Sequence, residues 1–161
     1  MPDQPPTPLR AVTSQTCAVS AAVDIIGDRW SLLILREVFF GVRRFEDFRS
    51  GLGISRSVLT ARLETLVAAG VLRRTPYRLG DDRTRFEYMP TRAGVELLPS
   101  VVALMRWGAK HAMSTPPIFS TRHAGCGADV DAVLRCRAGH LVTPADMEAH
   151  ATEFSSTGGV A

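Results

Sequence analysis

The sequence predicts a mainly helical α+β fold in which short helices carry one small β-hairpin. Apolar residues recur at helical spacing through most of residues 19–69 and again through 91–112. Two segments rich in strand-forming residues flank Gly80, Asp81 and Asp82, the residue types of a turn. Positive charge gathers in the same middle third of the chain. At 161 residues the chain holds one domain with a true core plus appendages, and it is too short for two full domains. With 45% hydrophobic and 22% charged residues it reads as an ordinary globular protein. No apolar run is long enough to span a bilayer. The Pro-rich start lacks a basic-then-apolar leader pattern, and Cys17, Cys126 and Cys136 are an odd number at unlike spacings. Together these predict a cytoplasmic, reduced protein with no membrane partner.

The elements follow from local chemistry. Residues 19–26 read as a short amphipathic helix stopped by Gly27, and residues 29–40 as a second helix ending before Gly41. In the second, Trp30, Leu32, Leu33, Ile34, Leu35, Val38 and Phe39 are apolar nearly all round, which places it at the centre of the core. Residues 43–49 form a charged helix pinned by Phe45 and Phe48 and closed by Gly51 and Gly53. Ser55 is placed as an N-cap for a helix reaching Ala69, with Gly70 as its stop. There Leu59, Leu63, Leu66 and Val67 make one buried stripe, leaving Arg56, Ser57, Thr60, Ala61, Arg62 and Glu64 on the polar face. Strands over 71–77 and 84–89 complete the hairpin. Thr91 then caps a helical region to Ala112, in which Pro99 marks either a break or a fresh first turn. Leu97, Leu98, Val101, Val102, Leu104, Met105 and Trp107 exceed what one face of a small domain needs, which points to a second copy of the chain.

Charge gives this arrangement a purpose. Residues 1–42 and 93–161 each net −1, whereas residues 43–92 carry eleven Arg against six acids. A short helix, a glycine-containing turn, a second helix with a polar face and then a basic hairpin is the order of a winged helix-turn-helix. In that arrangement the second helix enters the major groove of double-stranded DNA by its N-terminal end. Arg44, Ser55, Arg56, Ser57, Thr60 and Arg62 are side chains suited to phosphates and base edges, and the helix N-terminus itself favours phosphate. Arg78, Arg83 and Arg85 sit on the hairpin, where arginines reach a narrow minor groove. No glycine-rich nucleotide loop and no nucleophile–base series is present, so the reading is a binding protein rather than an enzyme. A winged helix used only for protein contacts is the alternative. It gives no reason for arginines on both the helix and the hairpin tip.

From Cys17 to about Trp107 the chain resembles the HxlR-type regulators. The resemblance rests on Cys17, Ala18, Val19, Ile25, Ile26, Gly27, Asp28, Arg29 and Trp30, with Leu33, Ile34, Leu35 and Arg36 after them. It continues through Gly41, Arg44, Phe45, Leu52, Gly53, Ile54, Ser55, Leu59, Arg62, Leu63, Leu66, Gly70 and Val71, then Glu87, Tyr88, Thr91 and Gly94. The resemblance implies a homodimer built from the first and last helices that binds a pseudo-palindromic operator, usually as a repressor. One departure lies at the hairpin, where Asp82, Arg83 and Thr84 replace the prolines often found in relatives.

The expected organisation is a flexible arm over 1–14, a DNA-binding and dimerisation domain over 15–113, a small extension over 114–150 and a disordered tail over 151–161. Two sites have competing readings. Cys17, beside a helix N-terminus, is a redox sensor of the kind some relatives use, or packing; cysteine is more often simply buried. His123, Cys126, Cys136 and His140 are spaced as zinc ligands, while the simpler and preferred reading is a short hairpin with leftover cysteines. In some relatives the tail pairs a Cys-Gly with a later C-x2-C; here Gly139 stands where the second cysteine of that pair would be. No cofactor is required by the DNA-binding reading, and any small-molecule or oxidant effector is unidentified.

Overall fold

The computed structural model describes residues 17–78 and 84–148. The expected arm over 1–14, the hairpin tip with Arg83 and the tail over 151–161 lie outside the described residues. Elements run in the order α1 (Ala18–Ile26), α2 (Arg29–Phe39), α3 (Phe45–Leu52), α4 (Arg56–Ala68), β1 (Leu72–Tyr77), β2 (Arg85–Pro90), α5 (Arg92–Glu96) and α6 (Leu98–His111). A short 3-10 turn follows at Pro144–Asp146. The chain gathers into two compact units that divide between Ile118 and Phe119.

In the first unit α2 is the centre, as its apolar circumference predicts: Ile34, Leu35 and Val38 are fully buried. Around them pack Phe48 of α3, the stripe Leu59, Leu63 and Leu66 of α4, Leu72 of β1 and Val101 of α6. Asp28 starts α2 by accepting the backbone N–H of Trp30 at 2.8 Å and of Ser31 at 3.2 Å. Its second oxygen accepts the hydroxyl of Ser31 at 2.5 Å, which satisfies a polar side chain that has no exposure at all.

The helix-turn-helix depends on one left-handed residue. Gly53 ends α3 at φ 62°, and Ile54 drops into the core behind it. Gly51, expected to close α3, instead lies within its last turn, because the helix persists until a positive φ is needed. Ser55 caps α4 by accepting the N–H of Val58 at 3.4 Å.

β1 and β2 pair antiparallel, from Leu72 opposite Pro90 to Tyr77 opposite Arg85. The base of the hairpin is locked by Thr91, whose N–H donates to the Val71 carbonyl at 3.0 Å and whose hydroxyl donates to the Gly70 carbonyl at 2.6 Å. The helical region after Thr91 breaks at Leu97, and Pro99 occupies the first turn of the new helix α6, where a missing N–H costs nothing. Val101 and Val102 of α6 are buried, whereas Leu104 and Trp107 remain 52% and 62% exposed. α1 buries no residue and exposes Val19 and Val23.

Candidate nucleic-acid interface

The backbone of Arg43 and Arg44, just before α3, pairs with the hairpin. Arg44 and Glu87 form an antiparallel bridge, and the Tyr88 N–H donates to the Arg43 carbonyl at 2.8 Å. This link holds the start of α3 against β2. Between α3, the first turn of α4 and the hairpin lies a groove of about 610 Å³ lined by Arg44, Phe45, Arg56, Tyr77, Arg85 and Phe86, among others. Three arginines from three elements thus converge on one surface.

Their guanidinium groups are held by neighbours rather than left to swing. Arg44 stacks over the Tyr77 ring at 5.0 Å and reaches Glu87 at 3.4 Å. Arg56 lies over the Phe45 ring at 5.2 Å and pairs with Glu46 at 2.5 Å. Glu46 also accepts from Arg49 at 2.7 Å; this bond, reinforced by Arg56 and only partly opposed by desolvation, holds the Glu46 carboxyl below its usual range. These pairs are solvent-exposed and contribute little to stability. They restrain the side chains instead, each guanidinium being held between an aromatic ring and a carboxylate.

Ser55, Ser57 and Thr60 are exposed on the N-terminal half of α4, as its polar face predicts. Thr60 also borders a smaller cavity of about 300 Å³ between α4 and the hairpin, with Glu64, Arg74, Phe86 and Tyr88. Burial raises the Tyr88 hydroxyl above its ordinary value. Arg85 and Arg78 are exposed at the hairpin's outer end, and Arg83 lies outside the described residues.

Arg62 departs from the sequence reading. Its guanidinium turns away from the groove to Asp28 at the start of α2, 3.4 Å away, and its Nε is buried without a hydrogen-bond partner among the described residues. Residue 62 directly precedes Leu63 in the buried stripe, so the side chain leaves the helix at the edge of the core. Sequence reasoning also gave no site role to Glu46, Arg74, Tyr77 or Glu87. Only Glu46 had a local signal, an acid three residues before Arg49 on the same helix.

Cys17 is the N-cap residue of α1, half-buried, with its thiol making no capping bond. In the second unit His123 Nδ1 lies 3.3 Å from Cys126 Sγ, and Cys136 Sγ 3.6 Å from His140 Nδ1. Among the described residues no three metal-ligating side chains gather at one point. No helix among them is long and apolar enough to cross a membrane.

A capped helix behind a glycine turn, joined by a short bridge to a basic hairpin, defines the winged helix-turn-helix class of transcription regulators. Within that class the chain belongs to the HxlR-like helix-turn-helix family, whose pattern it matches over residues 25–116. It is 45% identical over 121 residues to an uncharacterised HTH-type transcriptional regulator of Mycobacterium tuberculosis, covering 74% of this chain and 75% of that one. The regulator YdeP of Bacillus subtilis, also uncharacterised, is 32% identical over 96 residues, 59% of this chain and 73% of its own. Among solved structures, PA1607, described as a candidate transcription factor, superposes with a TM-score of 0.74 at 29% identity over 89% of this chain and 99% of its own. The oxidised form of the redox regulator HypR superposes with a TM-score of 0.54 at 30% identity, over 59% of this chain and 97% of its own.

Proposed function

We propose that this regulator binds a pseudo-palindromic operator as a homodimer and represses transcription from it. The observation that carries the reading is the convergence of Arg44, Arg56 and Arg85 on one groove beside the N-terminal turn of α4. In this reading α4 enters the major groove, with Ser55, Ser57 and Thr60 at base edges or phosphates and Arg56 aimed at a base edge. Arg44 and the hairpin arginines Arg78, Arg83 and Arg85 take the flanking phosphates and the adjacent minor groove. Arg62 does not line this groove and lies 3.4 Å from Asp28, so the reading gives it no base contact.

Dimerisation is supported by apolar side chains that α1 and α6 leave in water: Val19, Val23, Leu104 and Trp107. Exposed aromatic and aliphatic groups of this size on two terminal helices fit a subunit interface. A dimer places two copies of α4 on half-sites one helical turn apart, so a symmetric operator follows from protein symmetry. In this reading the bound dimer represses by covering promoter DNA, and the protein works in the cytoplasm beside the genome. Selection of the full chain against a random duplex pool, with sedimentation of the same preparation, tests the reading. A two-fold symmetric consensus and a dimer are expected; no enriched sequence, or a monomer, overturns it and favours a protein-contact module.

A further inference from the structure

Among its described residues the second unit has secondary structure without a core. From Phe119 to Glu148 no described residue is buried, and Val133, Leu134 and Leu141 are each more than half exposed. A segment this small cannot hold a compact form on apolar burial alone, and such units are usually stapled by a metal or a covalent bridge. Yet its backbone closes two tight hairpins, one through a five-residue turn over 123–127 and one through a four-residue turn over 136–139.

In the first hairpin Arg122 bridges Asp129, and the Gly127 N–H donates to the His123 carbonyl at 2.8 Å with Gly127 at φ 72°. In the second Arg135 bridges Leu141, and the Gly139 N–H donates to the Cys136 carbonyl at 2.9 Å with Gly139 at φ 90°. Each turn brings one imidazole nitrogen to one thiol, at 3.3 Å in the first and 3.6 Å in the second. Two ligands of one tetrahedral zinc, at the usual Zn–N and Zn–S lengths, stand about 3.6 Å apart. The His123 ring lies beside Gly125, where a Cβ would come within 2.9 Å of Cε1. Its Nδ1 accepts the Cys126 N–H at 3.3 Å, a bond that a metal ion at Nδ1 would replace.

We propose that His123, Cys126, Cys136 and His140 bind one Zn2+ as a structural N2S2 site, and that the ion supplies the stability this unit's side chains do not. Among the described residues the two pairs do not gather at one point, so in this proposal the ion must draw one hairpin onto the other, and its binding is coupled to the folding of the unit. Two thiolates and two imidazoles suit zinc, and four protein ligands leave no open position for catalysis. The site is independent of the DNA groove, whose residues all belong to the first unit.

The test measures metal per chain by elemental analysis of the full protein, purified under reducing conditions, with Co2+ exchange read by visible absorption. About one zinc per chain and the d–d bands of a tetrahedral thiolate-bound Co2+ are expected. Cys126→Ser and Cys136→Ser should each lose at least about nine-tenths of the bound metal, while Cys17→Ser keeps it. The helical circular dichroism of all three should match the parent, because every α-helix among the described residues lies within Ala18–His111. A reduced parent chain that takes up neither ion overturns the proposal. So does metal retention by both serine variants, or a Cys126–Cys136 disulfide with no metal uptake after reduction.

Discussion

Replacing Asp28 by Ala removes three hydrogen bonds and one ion pair from the point where α2, α4 and the core meet. Loss of a capping carboxylate costs about 1 kcal/mol, within a range of roughly 0.5–2. The Ser31 hydroxyl, fully buried and bonded to Asp28 at 2.5 Å, loses its acceptor, which adds about 1–3 kcal/mol. Arg62 contributes little to the sum, since its side chain is 40% exposed and water replaces its partner. The expected total is about 2–4 kcal/mol, a large share of the roughly 5–15 kcal/mol that holds a domain together. Asp28→Asn keeps a capping acceptor and should cost about 1 kcal/mol. Urea unfolding at neutral pH followed by circular dichroism gives both values. Equal costs for the two variants, or a loss under about 0.5 kcal/mol for Ala, would refute the cap and buried-hydroxyl account. The companion variant Arg62→Ala should change stability slightly and leave operator preference as it was. Relaxed base preference in that variant would instead return Arg62 to the DNA face.

Gly94→Ala should destabilise the hairpin base by about 2 kcal/mol or more, read as a fall in Tm. A Cβ there would stand 2.2 Å from the Val71 backbone carbonyl oxygen, and that carbonyl is already bonded to Thr91. Burial alone would push the Asp28 carboxyl up, but the Ser31 hydroxyl, the two helix N–H groups and Arg62 outweigh it, so the folded value lies below the ordinary 3.8. Stability from this charge is therefore complete above that value and fades as pH falls through the lower folded one. The stability gap between the parent and Asp28→Asn should narrow over the same acid range in a pH series of unfolding curves. Trp107→Lys or Leu104→Glu should give a folded monomer by sedimentation, because both side chains face solvent in one subunit. Its operator affinity should drop at least about a hundredfold once the two half-sites are no longer linked.

Local chemistry made much of this fold legible. The leucine stripe of α4, its Ser55 cap, the Gly53 turn, the Thr91 cap and the hairpin all express rules that act within a few residues. So do the basic character of the groove and the apolar excess of α6. The rest is tertiary. Arg62 meets an acid 34 positions earlier in the sequence, and a 3.6-residue period cannot distinguish a polar side chain beside the stripe from one facing outward. Arg44 finds Glu87 and Tyr77 only after the hairpin folds back onto α3. The spacing of His123, Cys126, Cys136 and His140 left a ligand set and a hairpin with leftover cysteines as competing readings. That each pair sits in its own glycine-containing turn, with no buried residue among the described part of the unit, required the structure.

The groove itself is tested most directly by the salt dependence of binding to the selected duplex, compared between the parent and an Arg44→Ala/Arg85→Ala variant. Removing two phosphate-binding side chains from each subunit removes four from the dimer, so the slope of log affinity against log salt should become shallower by about 3–4. Arg56→Ala, measured alongside, should cost about 1–3 kcal/mol on the selected site and far less on a scrambled one. Unchanged slopes and equal affinities across the parent and these variants would contradict the claim that this surface binds DNA.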